Sequence, residues 1–217
     1  FRFELINPSE INFIPGQYLI LKINDKVRLY SIASSVNNKK FLEFVIELIP
    51  QGLASDYLKR LSLNDEVLWQ GPAGLFRFKD NYPESIFLAT GTGIAPIRSI
   101  INSKFKIQNL KFFLLWGLRY YQDIYFFDEF KALEKKSDGR FKFLYCLSRE
   151  KDLSLVKEMD KKYFFLGHIQ DYLDKNFSEE FQKANFYLCG GRVVVESLKE
   201  YLIGKKVNQK QIIFERF

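Results

Sequence analysis

One run constrains this chain more than any other: Ala89-Thr90-Gly91-Thr92-Gly93-Ile94-Ala95-Pro96. It follows a short apolar segment, residues 85–89, and opens a stretch of helical character, residues 96–104. Strand, glycine turn and helix in that order is the building unit of a parallel, doubly wound sheet. The alternation continues downstream. Apolar segments at 112–116, 141–147, 186–189 and 212–214 are separated by helical stretches at 125–135 and 193–203. The turn itself carries a chemistry. A Cβ at its glycines would hold a pyrophosphate away from the backbone, and a helix N-terminus offers free N–H groups and a partial positive charge. Pro96 suits a first helical turn, where its missing donor costs nothing. Spacing alone equally fits an ordinary tight turn. It departs from the six-residue dinucleotide fingerprint, because Pro96 stands where a third glycine would be.

Residues 1–80 follow another pattern. Segments 17–23, 28–33 and 41–48 are short and rich in β-branched and aromatic residues. Pro15-Gly16, Asn24-Asp25 and Asn37-Asn38 punctuate them as turns. Residues 53–61 have helical spacing, and Ser55 suits an N-cap for residues 56 onward. Segments 66–69 and 75–78 read as strands flanking Gly71-Pro72-Ala73-Gly74. Several short strands around one helix predict a small antiparallel barrel. The expected architecture is therefore a β-barrel domain over residues 1–80 followed by an α/β domain over 84–217, joined by a polar stretch holding Asp80, Asn81 and Pro83. A length of 217 residues accommodates two small domains.

Composition narrows the function classes. The net charge is +7, but no run of five basic residues occurs and Lys and Glu are interleaved, so nucleic-acid binding is not expected. Cys146 and Cys189 are too few for a disulfide framework or a four-cysteine iron–sulfur site. No secretory signal or 18-residue apolar span is present, so a cytoplasmic protein without a membrane span is expected. The sequence opens on Phe1, so a segment ahead of it is expected. No metal-ligand spacing appears. His168, the single histidine, reads as structural or exposed, and Trp69 and Trp116 read as core residues.

Five pieces in order resemble the ferredoxin–NADP reductase family, chiefly its oxygenase-reductase and flavin-reductase branches. They are Arg28-Leu29-Tyr30-Ser31, Gly52-Leu53-Ala54-Ser55, Gly71-Pro72-Ala73-Gly74-Leu75-Phe76, the Gly91-Thr92-Gly93 turn with Pro96, and Tyr187-Leu188-Cys189-Gly190-Gly191. The resemblance implies that the first piece lies along a flavin, with Arg28 at its phosphate, Tyr30 packed on the ring and Ser31 near the nitrogen that accepts hydride. Those roles suit a bidentate guanidinium, an aromatic face and a hydroxyl. Because strand residues alternate, Ser31 points away from Arg28 and Tyr30. The resemblance further implies that the segment holding Ile46 contacts the flavin through its backbone and that residues 52–55 hold the flavin pyrophosphate. It makes residues 71–76 a closing loop and has Thr90, Gly91, Thr92, Gly93 and Pro96 receive a nicotinamide dinucleotide. Cys189 and Gly190 would flank the nicotinamide, with Cys189 as a packing group. Gly191-Arg192-Val193-Val194 departs from the family's prolines and methionine. The terminal aromatic, Phe217, would cover the flavin face until nicotinamide displaces it, with Glu215 near Ser31 and Cys189.

The implied cofactors are FAD, ahead of FMN, and NADPH, with NADH as the alternative. Ser148-Arg149 resembles a pair that holds a 2′-phosphate, although Glu150 beside it is the residue type that NAD users place near a free ribose hydroxyl. The implied function is a flavoprotein reductase that takes hydride from NAD(P)H and passes electrons to a ferredoxin, a flavodoxin or an oxygenase component. A reductase of free flavin is the nearer alternative. A non-enzymatic electron-transfer subunit is the alternative of another class. A dehydrogenase without flavin leaves the first half without a task.

Overall fold

In the computed structural model every residue is described except Gln108 and the side chains of Glu179 and Glu180. The chain divides into two compact units. One comprises Phe1–Phe78 with Ala95–Ser103, the other Lys79–Ile94 with Lys104–Phe217.

The first unit is antiparallel. Its elements are β1 (Arg2–Glu4), β2 (Tyr18–Ile23), β3 (Lys26–Ser31), β4 (Phe41–Glu43), α1 (Leu53–Arg60) and β5 (Trp69–Ala73). β3, β2 and β5 form one sheet in that order, and β1 pairs with β4. Alternation decides the inner face of β2: Leu19, Leu21 and Ile23 are buried, while Tyr18, Ile20 and Lys22 are not. Leu19 packs with Ile32, Leu42 and Phe44, and Leu21 and Ile23 pack with Ala54 and Leu58 of α1. Trp69 touches both groups and stacks on Phe44 at 4.7 Å.

Four expectations need correction here. The strand expected over 41–48 ends at Glu43, and Phe44 adds only one bridge, to Ile32. That antiparallel register would set residues 45–48 opposite 28–31, but β3 pairs with β2 and is an edge strand of its sheet. Ile46 therefore lies outside any strand. The strand expected at 66–69 starts at Trp69 and runs through Gly71-Pro72-Ala73, which had been read as a loop. Proline is tolerated there because β5 is an edge strand with a register shift opposite Tyr18 and Ile20. No strand forms at 75–78: Gly74 turns the chain with φ +116 and Leu75 stands 86% exposed. Finally, Ser55 does not cap α1. Gly52 holds that position, and the Ser55 hydroxyl, inside the first turn, accepts from the Ile49 amide at 2.9 Å.

The helix after the glycine turn, α2 (Ile94–Lys104), contributes residues 95–103 to the first unit. Arg98 donates to the Ala33 carbonyl at 3.1 Å and to the Glu43 carboxylate at 2.8 Å.

The second unit is the expected parallel sheet. Its strands are β6 (Glu84–Thr90), β7 (Lys111–Leu118), β8 (Phe141–Leu147), β9 (Phe164–Leu166), β10 (Ala184–Gly190) and β11 (Ile212–Arg216), ordered β11-β10-β6-β7-β8-β9. The helices are α3 (Phe127–Lys136), α4 (Ile169–Asn176) and α5 (Arg192–Gly204). β10 is buried along its whole length, which explains its run Phe186-Tyr187-Leu188-Cys189, while the buried Asn185 ahead of it donates to the Lys79 carbonyl at 3.1 Å. One face packs Leu88, Leu115, Cys146 and Leu188 under α4 and α5. The other carries an aromatic layer that includes Trp116, Phe130, Phe143 and Tyr145. α4 begins at the helix start expected near residues 167–169, whereas β1 and β9 have no counterpart in the sequence reading. These two strands are three residues each, too short to show a period.

Burial in this unit has a consequence for pH. It pushes the thiols of Cys146 and Cys189 and the hydroxyl of Tyr145 up, and the Tyr187 hydroxyl to about 12. In the unfolded chain thiols ionise near about 8.5 and tyrosines near about 10. Above those values the unfolded state binds fewer protons than the native one, so stability falls as pH rises. The urea midpoint is expected to hold between neutrality and pH ~8 and to decline through pH ~9–10.5, as read by circular dichroism. A midpoint that rises over that window would contradict the burial of these groups.

Candidate functional site

The carboxyl ends of β6 and β10 meet at a close backbone approach. After Thr90 the chain makes a one-turn 3-10 helix, Gly91–Gly93, and enters α2. A Cβ on Gly93 would stand 2.1 Å from the Cys189 carbonyl oxygen and 2.8 Å from the Gly190 amide nitrogen. Gly190 has φ +155, and a Cβ there would lie 2.0 Å from the Thr90 hydroxyl. These two glycines are fixed by packing between strand ends. Gly91 differs: its φ is +51 and a Cβ would meet nothing within 4 Å. The space over Gly91 is open at the entrance to a helix, the setting in which backbone amides can approach an anion. Pro96 is the third residue of α2, inside the first turn as expected.

Cys189 lies in register between Ala89 and Glu215 on its neighbouring strands. It is 1% exposed, and burial first, Glu215 second, hold its thiol well above the ordinary value. The sulfur is therefore a neutral packing group and no nucleophile. Just beyond β11, the Phe217 amide donates to the Gly190 carbonyl at 3.2 Å, and its own carbonyl accepts from the Arg192 amide at 3.1 Å. The Phe217 ring is 64% exposed on this pinned backbone.

A third cluster ends β7 and β8. The Ser148 hydroxyl donates to the Leu118 carbonyl at 3.2 Å, and the Arg149 amide donates to the Arg119 carbonyl at 3.0 Å. Both arginines are exposed, and neither guanidinium meets a carboxylate among the described residues. Glu150 is already engaged, accepting from the Tyr121 amide at 2.8 Å. The sequence reading missed Arg119. Its signal was a cation immediately past the carboxyl end of an apolar strand, the place that Arg149 occupies beyond β8.

In the first unit, β3 is an edge strand. Arg28 lies opposite Leu21 and Tyr30 opposite Leu19, so the two share the inner face. Leu29 points the other way, 56% exposed, and can meet a ligand on that inner face only through its backbone. Among the described residues the Arg28 guanidinium bonds the Val27 carbonyl, at 2.8 Å. Tyr30 is half-buried with its ring edge-on to Trp69 at 6.2 Å, and burial raises its hydroxyl against an opposing pull from Arg28. Ser31 closes the strand opposite Tyr18. Ile46 packs half-buried against both core groups. Leu53, Ala54 and Ser55 form the first turn of α1, whose leading amides have no partner within the helix.

Comparison with known proteins adds to this geometry. Residues 87–200, more than half of the chain, match the oxidoreductase NAD-binding domain family. The chain belongs to that family. Residues 1–78 match the oxidoreductase FAD-binding domain, so the chain carries both modules of a ferredoxin–NADP reductase-type oxidoreductase. The xylene/toluene monooxygenase electron transfer component of Pseudomonas putida is 28% identical over 99% of this chain and 60% of its own length. The ferredoxin–NADP reductase of Thermosynechococcus vestitus is 31% identical over 90% of this chain and 58% of its own length. The chain thus spans less than two thirds of these curated relatives. Among solved structures, the Amycolatopsis cytochrome P450 reductase GcoB shares the fold, with a TM-score of 0.86 at 24% identity over 100% of this chain and 64% of that one. Residues present in this oxidoreductase fit both cofactors its modules imply. The Arg28 guanidinium, without a carboxylate partner among the described residues, suits a flavin phosphate, and the space over Gly91 suits a dinucleotide. Among the described residues no helix is long and apolar enough to cross a membrane, and no group of three potential ligands could hold a metal ion.

Proposed function

We propose that this chain is the reductase part of an electron-transfer system, oxidising NADPH, with NADH as the weaker donor, and delivering electrons to a protein acceptor. The observation that carries the reading is that FAD-binding and NAD-binding modules lie on one chain of 217 residues. When bound, FAD supplies a two-electron hydride acceptor that can release electrons singly. The protein's part is binding and orientation. Arg28 holds the flavin phosphate, Tyr30 packs on the ring, and Ser31 offers a hydroxyl to the hydride-accepting nitrogen. Gly52, Leu53, Ala54 and Ser55 present the leading amides of α1 to the pyrophosphate, and the segment at Ile46 contributes backbone. In the second unit Thr90, Gly91, Thr92, Gly93 and Pro96 shape the turn for the dinucleotide. Ser148 and Arg149, joined by Arg119, hold its 2′-phosphate. Cys189 and Gly190 pack beside the nicotinamide position, with Glu215 next to Cys189, and Phe217 is the exposed ring that moves to admit it. The domains are 1–80 for flavin and 84–217 for nucleotide.

An acceptor such as a ferredoxin, a flavodoxin or an oxygenase component suits the reading, since relatives include electron transfer components of dioxygenases acting on anthranilate and toluate. Two unpaired, buried cysteines suit the cytoplasm as the compartment. The deciding experiment is the anaerobic absorption spectrum of freshly purified protein, before and after NADPH and then NADH. A flavin spectrum that bleaches faster with NADPH is expected. A colourless protein that oxidises NADPH only with added flavin would replace this reading with a free-flavin reductase, and one that does neither would leave only the fold.

A further inference from the structure

We propose that Trp116 is a positioning residue for dinucleotide binding: its indole N–H, bonded to the Gly91 carbonyl, holds the Gly91–Gly93 turn in its ligand-receiving form. Trp116 is 0% exposed near the carboxyl end of β7, and its Nε1 donates to the Gly91 carbonyl at 3.0 Å. A buried indole N–H gains from an acceptor, yet the buried Trp69 indole N–H has none among the described residues, so core packing alone does not dictate that Trp116 bond the glycine turn.

The indole has no freedom to search for another partner. Ring centroids of Tyr125, Phe126, Phe130 and Tyr145 stand 5.6, 6.3, 6.3 and 5.4 Å from it. The Tyr145 hydroxyl donates to the Tyr125 carbonyl at 2.8 Å, so the clamp is itself bonded together. The Gly91 carbonyl also accepts from the Ile94 amide as the chain enters α2. Two donors therefore fix the direction of one carbonyl. In a trans peptide the carbonyl and the following N–H point in opposite directions, and the Gly91–Thr92 bond is trans. Drawing the Gly91 carbonyl toward Trp116 thus turns the Thr92 amide away from it. Gly91 sits at φ +51 with no side chain to brace it, so without the indole bond the second donor, the Ile94 amide, is left alone to hold this peptide's direction. The inference rests on the reading that the turn receives the dinucleotide.

The test uses the flavin-loaded protein and two substitutions. Trp116→Phe removes the donor and keeps an aromatic ring. Replacement of Trp116 by 3-benzothienylalanine removes only the N–H and keeps the indole shape, which preserves the core if phenylalanine leaves a void. Losing one buried hydrogen bond is expected to raise the KM for NADPH by roughly three- to tenfold while kcat changes by less than about twofold. The Kd of NADP+ measured by calorimetry is expected to rise in parallel, with the flavin spectrum and thermal midpoint of the benzothienyl protein unchanged. An unaltered Kd and KM in that protein would overturn the proposal, as would kcat and thermal midpoint falling together without a KM change. If the unsubstituted protein binds neither NADP+ nor NAD+, the reading of the turn fails, and this inference with it.

Discussion

Gly93→Ala is expected to lower the thermal midpoint by about 5–10 °C, while Gly91→Ala keeps most of the stability and loses nucleotide binding. The two glycines are two residues apart in one turn, yet the structure gives them different tasks. A methyl group on Gly93 would stand 2.1 Å from the Cys189 carbonyl oxygen and 2.4 Å from its carbon. Those atoms belong to β10, buried throughout and paired on both sides by β6 and β11, so they cannot yield cheaply. Overpacking of this kind costs about 1–3 kcal/mol, sometimes more. At Gly91 the added methyl group meets no protein atom and pays only for the left-handed conformation, about 1–2 kcal/mol. It enters the space proposed for the phosphates, so the Kd for NADP+ is expected to rise at least about thirtyfold, equivalent to ~2 kcal/mol. Melting curves and calorimetry on both variants separate the effects. If Gly91→Ala binds NADP+ as tightly as the unsubstituted chain, the open side of this turn is not the phosphate site.

That contrast marks how far the sequence could be read. The parallel sheet was legible because β6, β7, β8 and β10 are long, apolar and separated by glycine turns and helices. The antiparallel half was legible as a class but less so in its boundaries. Segments 45–48 and 75–78 look like strands by composition, yet among the described residues neither is paired in a sheet, and pairing is a property of the partner as much as of the segment. Gly71-Pro72 reads as a breaker, and only the position of β5 at a sheet edge lets a proline sit within it. Candidate site residues could be drawn from the sequence where residue type suggests a chemistry, as at Arg28, Gly91 and Arg149. They could not be drawn where a role depends on distant backbone. Nothing in the sequence tells that Gly93 answers to Cys189, that Glu150 is tied to Tyr121, or that Trp116 reaches the Gly91 carbonyl.

Replacing Arg119 and Arg149 together with alanine is expected to reduce kcat/KM for NADPH by about a hundredfold and to leave NADH within about threefold. The argument begins with charge. The two arginines leave the carboxyl ends of neighbouring parallel strands, joined by a backbone bond of 3.0 Å between them. Strand spacing places their backbones about 5 Å apart, and no carboxylate among the described residues neutralises either one. Glu150, the acid that follows Arg149 in the chain, accepts from the Tyr121 amide and pairs with neither arginine among the described residues. Two like charges held together without a counterion are unfavourable in the empty protein, and a dianionic 2′-phosphate relieves that repulsion while accepting charged hydrogen bonds. NADH lacks the phosphate and gains nothing from the pair. Each charged bond contributes about 1.5–3 kcal/mol, so single substitutions should each cost at least about tenfold on NADPH. The effect on NADPH should also shrink as salt is raised, because these guanidiniums are exposed. Steady-state kinetics with both nucleotides at low and high ionic strength reads all of this. Equal losses on NADPH and NADH would place the arginines on a part common to both nucleotides and remove the basis for preferring NADPH.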